Sequence, residues 1–379
     1  MAIVKDFSAD INVPYYWPCS FPLVHAKLEH EGRQSSQSLQ LNLCLFSLPS
    51  YAKNSHDSSS FVSIWEARRL GYLGAGKYLG YTFNTKQYDT LESGMNVLHA
   101  AIEQQRPFIV CGTTYHIPHS KDYHSEDYFR DYMSLFLYPN AHWILVYGID
   151  DQDVLVYDPI PNKYQGRMPI SDFQKFWEGD RVIPQLIDYP GIEQLSIFGT
   201  SEIESIPGHI DLPLEYLMQQ CLKTIAYEYM NGDSVIEDGI RYYFGQQAMK
   251  QLIEDLKAHL HSADPLSTPI FQMYDKCIFE NRFSRYFLKD LLQEMLDLNF
   301  TYVSELYNEL DSLIKTIENI GNVFKVNVQR KRSKEKVITA FIESAEAFLE
   351  QETDFLKRVF EQFQELPLLE KRQSALAVI

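Results

Sequence analysis

Three residues stand out by type and setting: Cys19, His142 and Asp158. A thiolate, an imidazole and a carboxylate in contact can carry covalent acyl transfer. The thiolate attacks, the imidazole relays the proton and the carboxylate orients the imidazole. Cys19 lies in Tyr16-Trp-Pro-Cys-Ser-Phe-Pro-Leu-Val-His25. Pro14 and Pro18 keep the chain extended ahead of it. The run from Ser20 reads as a helix that tolerates Pro22 in its first turn. A cysteine at that helix start meets exposed N–H groups and the positive end of the helix dipole, which favour thiolate over thiol.

His142 opens the apolar run Trp143–Tyr147, and Asp158 closes the run Val154–Tyr157. The polar stretch from Asp150 to Asp153 between them reads as the tip of a hairpin. A hairpin centred on Asp150 sets residue 142 opposite residue 158. A slip of two residues would still keep both side chains on one face. The carboxylate would then bind one ring nitrogen and favour the protonated ring, leaving the other nitrogen to face the thiol. Each residue alone also has an ordinary explanation: a small buried thiol, a satisfied strand-end histidine, a turn at Asp158-Pro159. The combination carries the functional reading.

The chain that must position these groups has 379 residues, which favours two domains. Its 25 Tyr, 23 Phe and 4 Trp argue for a folded core. A net charge of −17 is a poor basis for nucleic-acid binding. No apolar run approaches the ~18 residues of a membrane span. Charges at Lys5, Asp6 and Asp10 interrupt the stretch that a signal peptide would keep apolar. Five cysteines without a C-x-x-C pattern suit neither a disulfide framework nor a Cys-rich zinc site. The expectation is a reduced, cytoplasmic protein without a metal cofactor.

The pattern changes near residue 210. Before it, short strand-like runs (Phe108–Cys111, the hairpin, Val182–Tyr189) alternate with helical stretches at 21–30, 62–72 and 91–105. Ser171-Asp-Phe-Gln174 has the pattern of a capping box opening a further short helix. Pro190, Gly191, Pro207, Gly208 and Pro213 punctuate a connector. Beyond it, three- and four-residue apolar spacing predicts helices over 214–230, 236–260, 270–299, 302–320 and 337–363. The expected layout is an α+β domain over 1–190, a connector over 191–212 and an all-α bundle over 213–379.

With these residues in view, the chain resembles the BtrH-like family of butirosin biosynthesis, whose first domain is papain-like, of the C39-peptidase kind. The resemblance rests on Pro107-Phe-Ile-Val-Cys-Gly-Thr-Thr-Tyr-His-Ile-Pro118, Asn140-Ala-His-Trp-Ile-Leu-Val-Tyr-Gly-Ile-Asp150, Val154-Leu-Val-Tyr-Asp-Pro159 and Ile170-Ser-Asp-Phe173, with Cys19 ahead of a helix. It implies a papain-like domain followed by a helical one. It also implies a cysteine acyltransferase of secondary-metabolite (antibiotic) biosynthesis. An (amino)acyl group would pass from a phosphopantetheine thioester on an acyl carrier protein or peptidyl carrier domain, through Cys19, to a small-molecule amine. His142 carries over as base and Asp158 as orienter. Two positions depart from the family. Pro18 stands where a His often precedes the cysteine, and only Asn12 stands near the place of an upstream Gln that assists an oxyanion. The same triad would serve a C39-like cysteine peptidase or amidohydrolase, and the fold alone would serve a non-catalytic binding protein.

Other signals are weaker. Tyr115 and His116, in a loop after a strand, are candidate substrate contacts. His116, His119 and His124 fit no zinc spacing. Gly71-Tyr-Leu-Gly-Ala-Gly76 lacks the context of a nucleotide loop and reads as a turn. Arg282 and Arg285, at adjacent-turn spacing, could bind a phosphate or carboxylate, or pair with Glu280 and Asp290. Lys325, Arg330, Lys331, Arg332, Lys334 and Lys336 form a basic cluster. It reads as a solvated turn or a dock for an acidic carrier. The helical half also offers a face for a homodimer.

Overall fold

A computed structural model describes residues 2–33, 36–43, 48–54, 60–61, 75–126, 128, 141–184, 199–205, 211–232, 234–237, 240–261 and 268–369. Its strands are β1 (Ala2–Ile3), β2 (Ser50–Asn54), β3 (Ser60–Phe61), β4 (Tyr81–Lys86), β5 (Phe108–Thr113), β6 (Ala141–Ile149), β7 (Asp153–Asp158), β8 (Tyr164–Pro169), β9 (Gly199–Ser205), β10 (Ser234–Glu237) and β11 (Ile240–Phe244). Its helices are α1 (Ser20–His30), α2 (Gln37–Leu43), α3 (Ala75–Leu79), α4 (Leu91–Glu103), α5 (Ile170–Glu178), α6 (Leu214–Met230), α7 (Gln246–His261), α8 (Thr268–Asn281), α9 (Phe283–Asp297), α10 (Ser304–Gln329) and α11 (Lys334–Gln362). The fold is α+β, and no helix among the described residues is long and apolar enough to cross a membrane.

The chain divides into two compact units. One gathers Met1–Ser35 with Leu79–Gly208, the other Ser36–Tyr78 with His209–Val378. The first is built on an antiparallel sheet in the order β4-β9-β5-β6-β7-β8, with β1 added to the far end of β6. Strand alternation sends Val110, Ile144, Val146, Val154 and Val156 to one face, under Leu98 and Ile102 of α4 and Phe173, Phe176 and Trp177 of α5. Ile109, Leu145 and Tyr157 face the other way, against Leu23, Val24 and Leu28 of α1. Both faces are covered by helices, so the sheet is a rigid platform.

Several expectations change here. The segment 191–212, read as a connector, contains β9, a central strand between β4 and β5. Its polar sequence Gly-Thr-Ser-Glu-Ile-Glu-Ser hides a strand whose pairing supplies what its side chains do not. The capping box at Ser171 does not form: α5 starts at Ile170 after Pro169, with no side-chain cap. Asp180–Val182 is a single 3-10 turn, and 185–189 of the expected strand lie outside the described residues. The helix expected over 62–72 and residues 71–74 of the glycine-rich run also lie outside them, while Gly76 falls in α3.

The second unit is mostly helical, as the spacing predicts, but it is not all-α. A four-stranded sheet in the order β10-β11-β2-β3 belongs to it. The span 236–260 is therefore a hairpin followed by α7, not one helix. Ile240-Arg-Tyr-Tyr-Phe244 is rich in strand-forming side chains, and it pairs with Ser50–Asn54 from early in the chain. That distant pairing also moves residues 36–78 out of the first domain as expected from sequence. α2 packs on α9, where the buried Asn42 amide donates to the carbonyls of Ser38 and Phe287.

Candidate active site

Cys19 is the residue before the first turn of α1, in helical conformation, and no side-chain cap occupies its sulfur. The turn is held from both sides. Trp17 donates its N–H to Pro14, Phe21 donates to Pro18, and the Trp17 and Phe21 rings meet edge to face at 5.2 Å. The thiol lies beside His142 and the backbone N–H of Trp143, and both favour its ionised form.

The β6–β7 hairpin supplies the other two groups. Asp150 Oδ1 accepts the N–H groups of Gln152 and Asp153, which closes the tip. Leu145 pairs with Tyr157 and Val146 with Val156, with a bulge before Gly148. Asp158 therefore falls two positions from the residue opposite His142, on the same face. The imidazole Nε2 lies 2.9 Å from Asp158 Oδ1. The same imidazole neighbours the Cys19 thiol, so His142 stands between thiol and carboxylate in its interactions. Gly112, paired with His142, lets α5 close on this strand: a Cβ there would lie 2.0 Å from the Phe176 carbonyl oxygen.

Burial alone would push the Cys19 thiol up. The His142 hydrogen bond and charge, with the Trp143 N–H, more than reverse this, and the thiol is lowered from its ordinary value. Burial likewise pushes His142 down, but the Asp158 carboxylate and the Cys19 sulfur raise it, to about 10. Asp158, fully buried, is opposed by desolvation and held down, to about 2, by His142, His119 and Asn162. The shifts run toward a thiolate–imidazolium pair beside an ionised carboxylate.

His119 and Asn162 were not among the sequence candidates for this site. His119 Nε2 lies 3.0 Å from Asp158 Oδ2, and Asn162 Nδ2 donates to the same oxygen at 2.7 Å. Asn162 had a readable signal, a turn-favouring residue four positions after Asp158 between two strands. His119 had none, because its contact spans 39 residues of chain.

Asn12 is exposed, and its N–H donates to Asp10 Oδ1 in a local turn. Tyr115 is buried, with its ring stacked on His124. His116 is 5% exposed with neither ring nitrogen hydrogen-bonded, and burial with the nearby charges of His124 and Lys175 lowers it to about 4. Among the described residues no cluster of three or more metal-ligating side chains occurs.

Arg282 and Arg285 lie in the second unit, away from any role as a free anion clamp. Arg285 makes a two-pronged pair with Glu352, at 2.6 and 2.7 Å, and also donates to the Asn281 carbonyl. Tyr229 donates to the same carboxylate at 2.6 Å. The partner of Arg285 is thus Glu352. The guanidinium carbon of Arg282 lies 4.3 Å above the Phe279 ring. Cys111, Cys221 and Cys277 are buried thiols outside any disulfide, whereas Cys44 lies outside the described residues.

Comparison with protein-family models and with curated proteins found no match.

Proposed function

We propose that this protein is a cysteine acyltransferase of the BtrH-like kind, in which Cys19 carries an acyl group from a carrier-bound thioester to an amine. The observation that supports this reading most is the His142–Asp158 contact at 2.9 Å beside Cys19, with the thiol lowered and the imidazole raised.

The chemistry balances without a further reagent. Cys19 thiolate attacks the donor carbonyl, and the donor sulfur leaves, taking the Nδ1 proton of His142. The acyl group is now a thioester on Cys19. An amine attacks that carbonyl, gives its proton to the neutral His142, and expels the Cys19 thiolate, which restores the ion pair. Asp158 keeps the ring oriented throughout and stabilises its charged form. The Cys19 backbone N–H, at the start of α1, is the oxyanion donor that this reading assigns. A thioester carbonyl has little resonance to lose, so it needs less oxyanion assistance than an amide.

In this reading the donor is an acidic acyl carrier protein or peptidyl carrier domain. The exposed basic turn between α10 and α11, around Arg330 and Lys331, is the surface that would meet it. The test is the fate of the acyl-enzyme. Acylated protein is freed of donor and chased with a panel of amines or with buffer alone. Accelerated loss of the acyl group with appearance of the amide supports transfer. Loss at the same rate with or without amine, yielding only the free acid, makes the protein a hydrolase.

A further inference from the structure

His119 lies on none of the three elements that supply Cys19, His142 and Asp158, yet it reaches Asp158. The carboxylate has two oxygens, and they are used differently. Oδ1 meets His142, while Oδ2 meets His119 at 3.0 Å and Asn162 at 2.7 Å. A carboxylate bound through one oxygen can rotate about its Cβ–Cγ bond. A donor on the second oxygen fixes the plane, and with it the ring plane of His142.

His119 is itself held. Its ring stacks on Tyr164 with centroids 3.8 Å apart and planes 14° from parallel. Tyr164 is the cross-strand partner of Asp158 in the β7–β8 pair, so the sheet register delivers the stacking surface beside the carboxylate. The Tyr164 hydroxyl folds back to donate to the Arg167 carbonyl at 2.6 Å. It passes over Gly166, where an added Cβ would lie 2.7 Å from that hydroxyl oxygen. Glycine at 166 thus permits the ring position that holds His119.

We propose that His119, stacked on Tyr164 and bonded to Oδ2, is a positioning residue of the thiol site that fixes the Asp158 carboxylate for His142. This rests on the reading of Cys19 as an activated nucleophile. The groups facing Asp158 among the described residues are His142, His119 and the neutral amide of Asn162, with Cys19 beyond His142. The His119 hydrogen bond favours the ionised carboxylate. Its loss frees the carboxylate plane and with it the His142 ring, so the imidazolium lowers the Cys19 thiol less.

The experiment is the pH profile of Cys19 alkylation by iodoacetamide in the full chain, which needs no acyl substrate. His119→Ala is expected to move the acid limb upward by about one pH unit, so that alkylation on that limb slows about tenfold. His119→Gln, which keeps an N–H donor, should return the limb toward wild type. Tyr164→Ala should move it in the same direction as His119→Ala, and it provides the comparison if His119→Ala does not fold. Variants that melt lower but keep the wild-type limb would overturn the proposal, leaving His119 a packing residue. A wild-type thiol that reacts like a free cysteine would instead overturn the underlying reading of the site.

Discussion

His142 and Asp158 are two positions out of direct opposition on β6 and β7, and their side chains still meet at 2.9 Å. The two-residue period of a strand makes this possible: a slip of two preserves the face, whereas a slip of one would send the carboxylate to the other side of the sheet. The bulge before Gly148 alters the hairpin between its tip and its His142 end without separating the pair.

The ion pair gives a pH signature. Cys19 is lowered and His142 is raised to about 10, so thiolate and imidazolium coexist between their two titrations. Alkylation of Cys19 should stay fast as pH falls below the ordinary thiol value of about 8.5. In His142→Asn the lowering partner is gone and burial pushes the thiol up. Its half-maximal pH should then lie above about 8.5. Equal profiles for the two proteins would contradict the pairing.

Asp158→Asn removes the charge that raises His142 while nearly keeping the shape of the side chain. Thioester turnover should fall by about 10²–10⁴-fold, chiefly in kcat, because the ring loses both its orientation and its stabilised charge. Steady-state kinetics with a fixed acyl donor would check this. A change in KM alone would place Asp158 in binding.

Gly112 is where α5 closes on the strand beside His142. In Gly112→Ala the new Cβ meets the Phe176 carbonyl, which is backbone and cannot rotate away. A loss of about 1–3 kcal/mol is expected in urea denaturation, the range of an overpacked core. Unchanged stability would show that α5 and β5 can separate freely.

Arg285 offers a contrast between stability and binding. Arg285→Met leaves the Glu352 carboxylate buried without its cation, and should cost about 3–5 kcal/mol. The KM for the acyl donor should not move in the folded fraction. The reverse pattern would restore Arg285 as a ligand contact.

The grouping of Cys19, His142 and Asp158 was legible in the sequence because each sits at an element end whose local signals are strong. Pro14 and Pro18 precede the helix of Cys19, and two apolar runs flank the turn at Asp150. The second unit was less legible. Ile240–Phe244 pairs with Ser50–Asn54, and no local pattern announces a partner that far away. β9 escaped for a related reason, since its polar side chains carry no strand period while its backbone fills the gap between β4 and β5. Arg285 misled because a cation on a helix looks the same whether it faces solvent or a buried Glu352. His119 was lost because loop-to-strand contacts follow from tertiary closure, not from spacing.

The most direct test is the intact mass of the protein after brief exposure to acyl-pantetheine thioesters, with Cys19→Ala in parallel. The account predicts one acyl adduct, mapped to Cys19 and absent from the variant, with both proteins equally folded. An adduct that persists in Cys19→Ala, or a Cys19 that takes up no acyl group from any thioester, would contradict it.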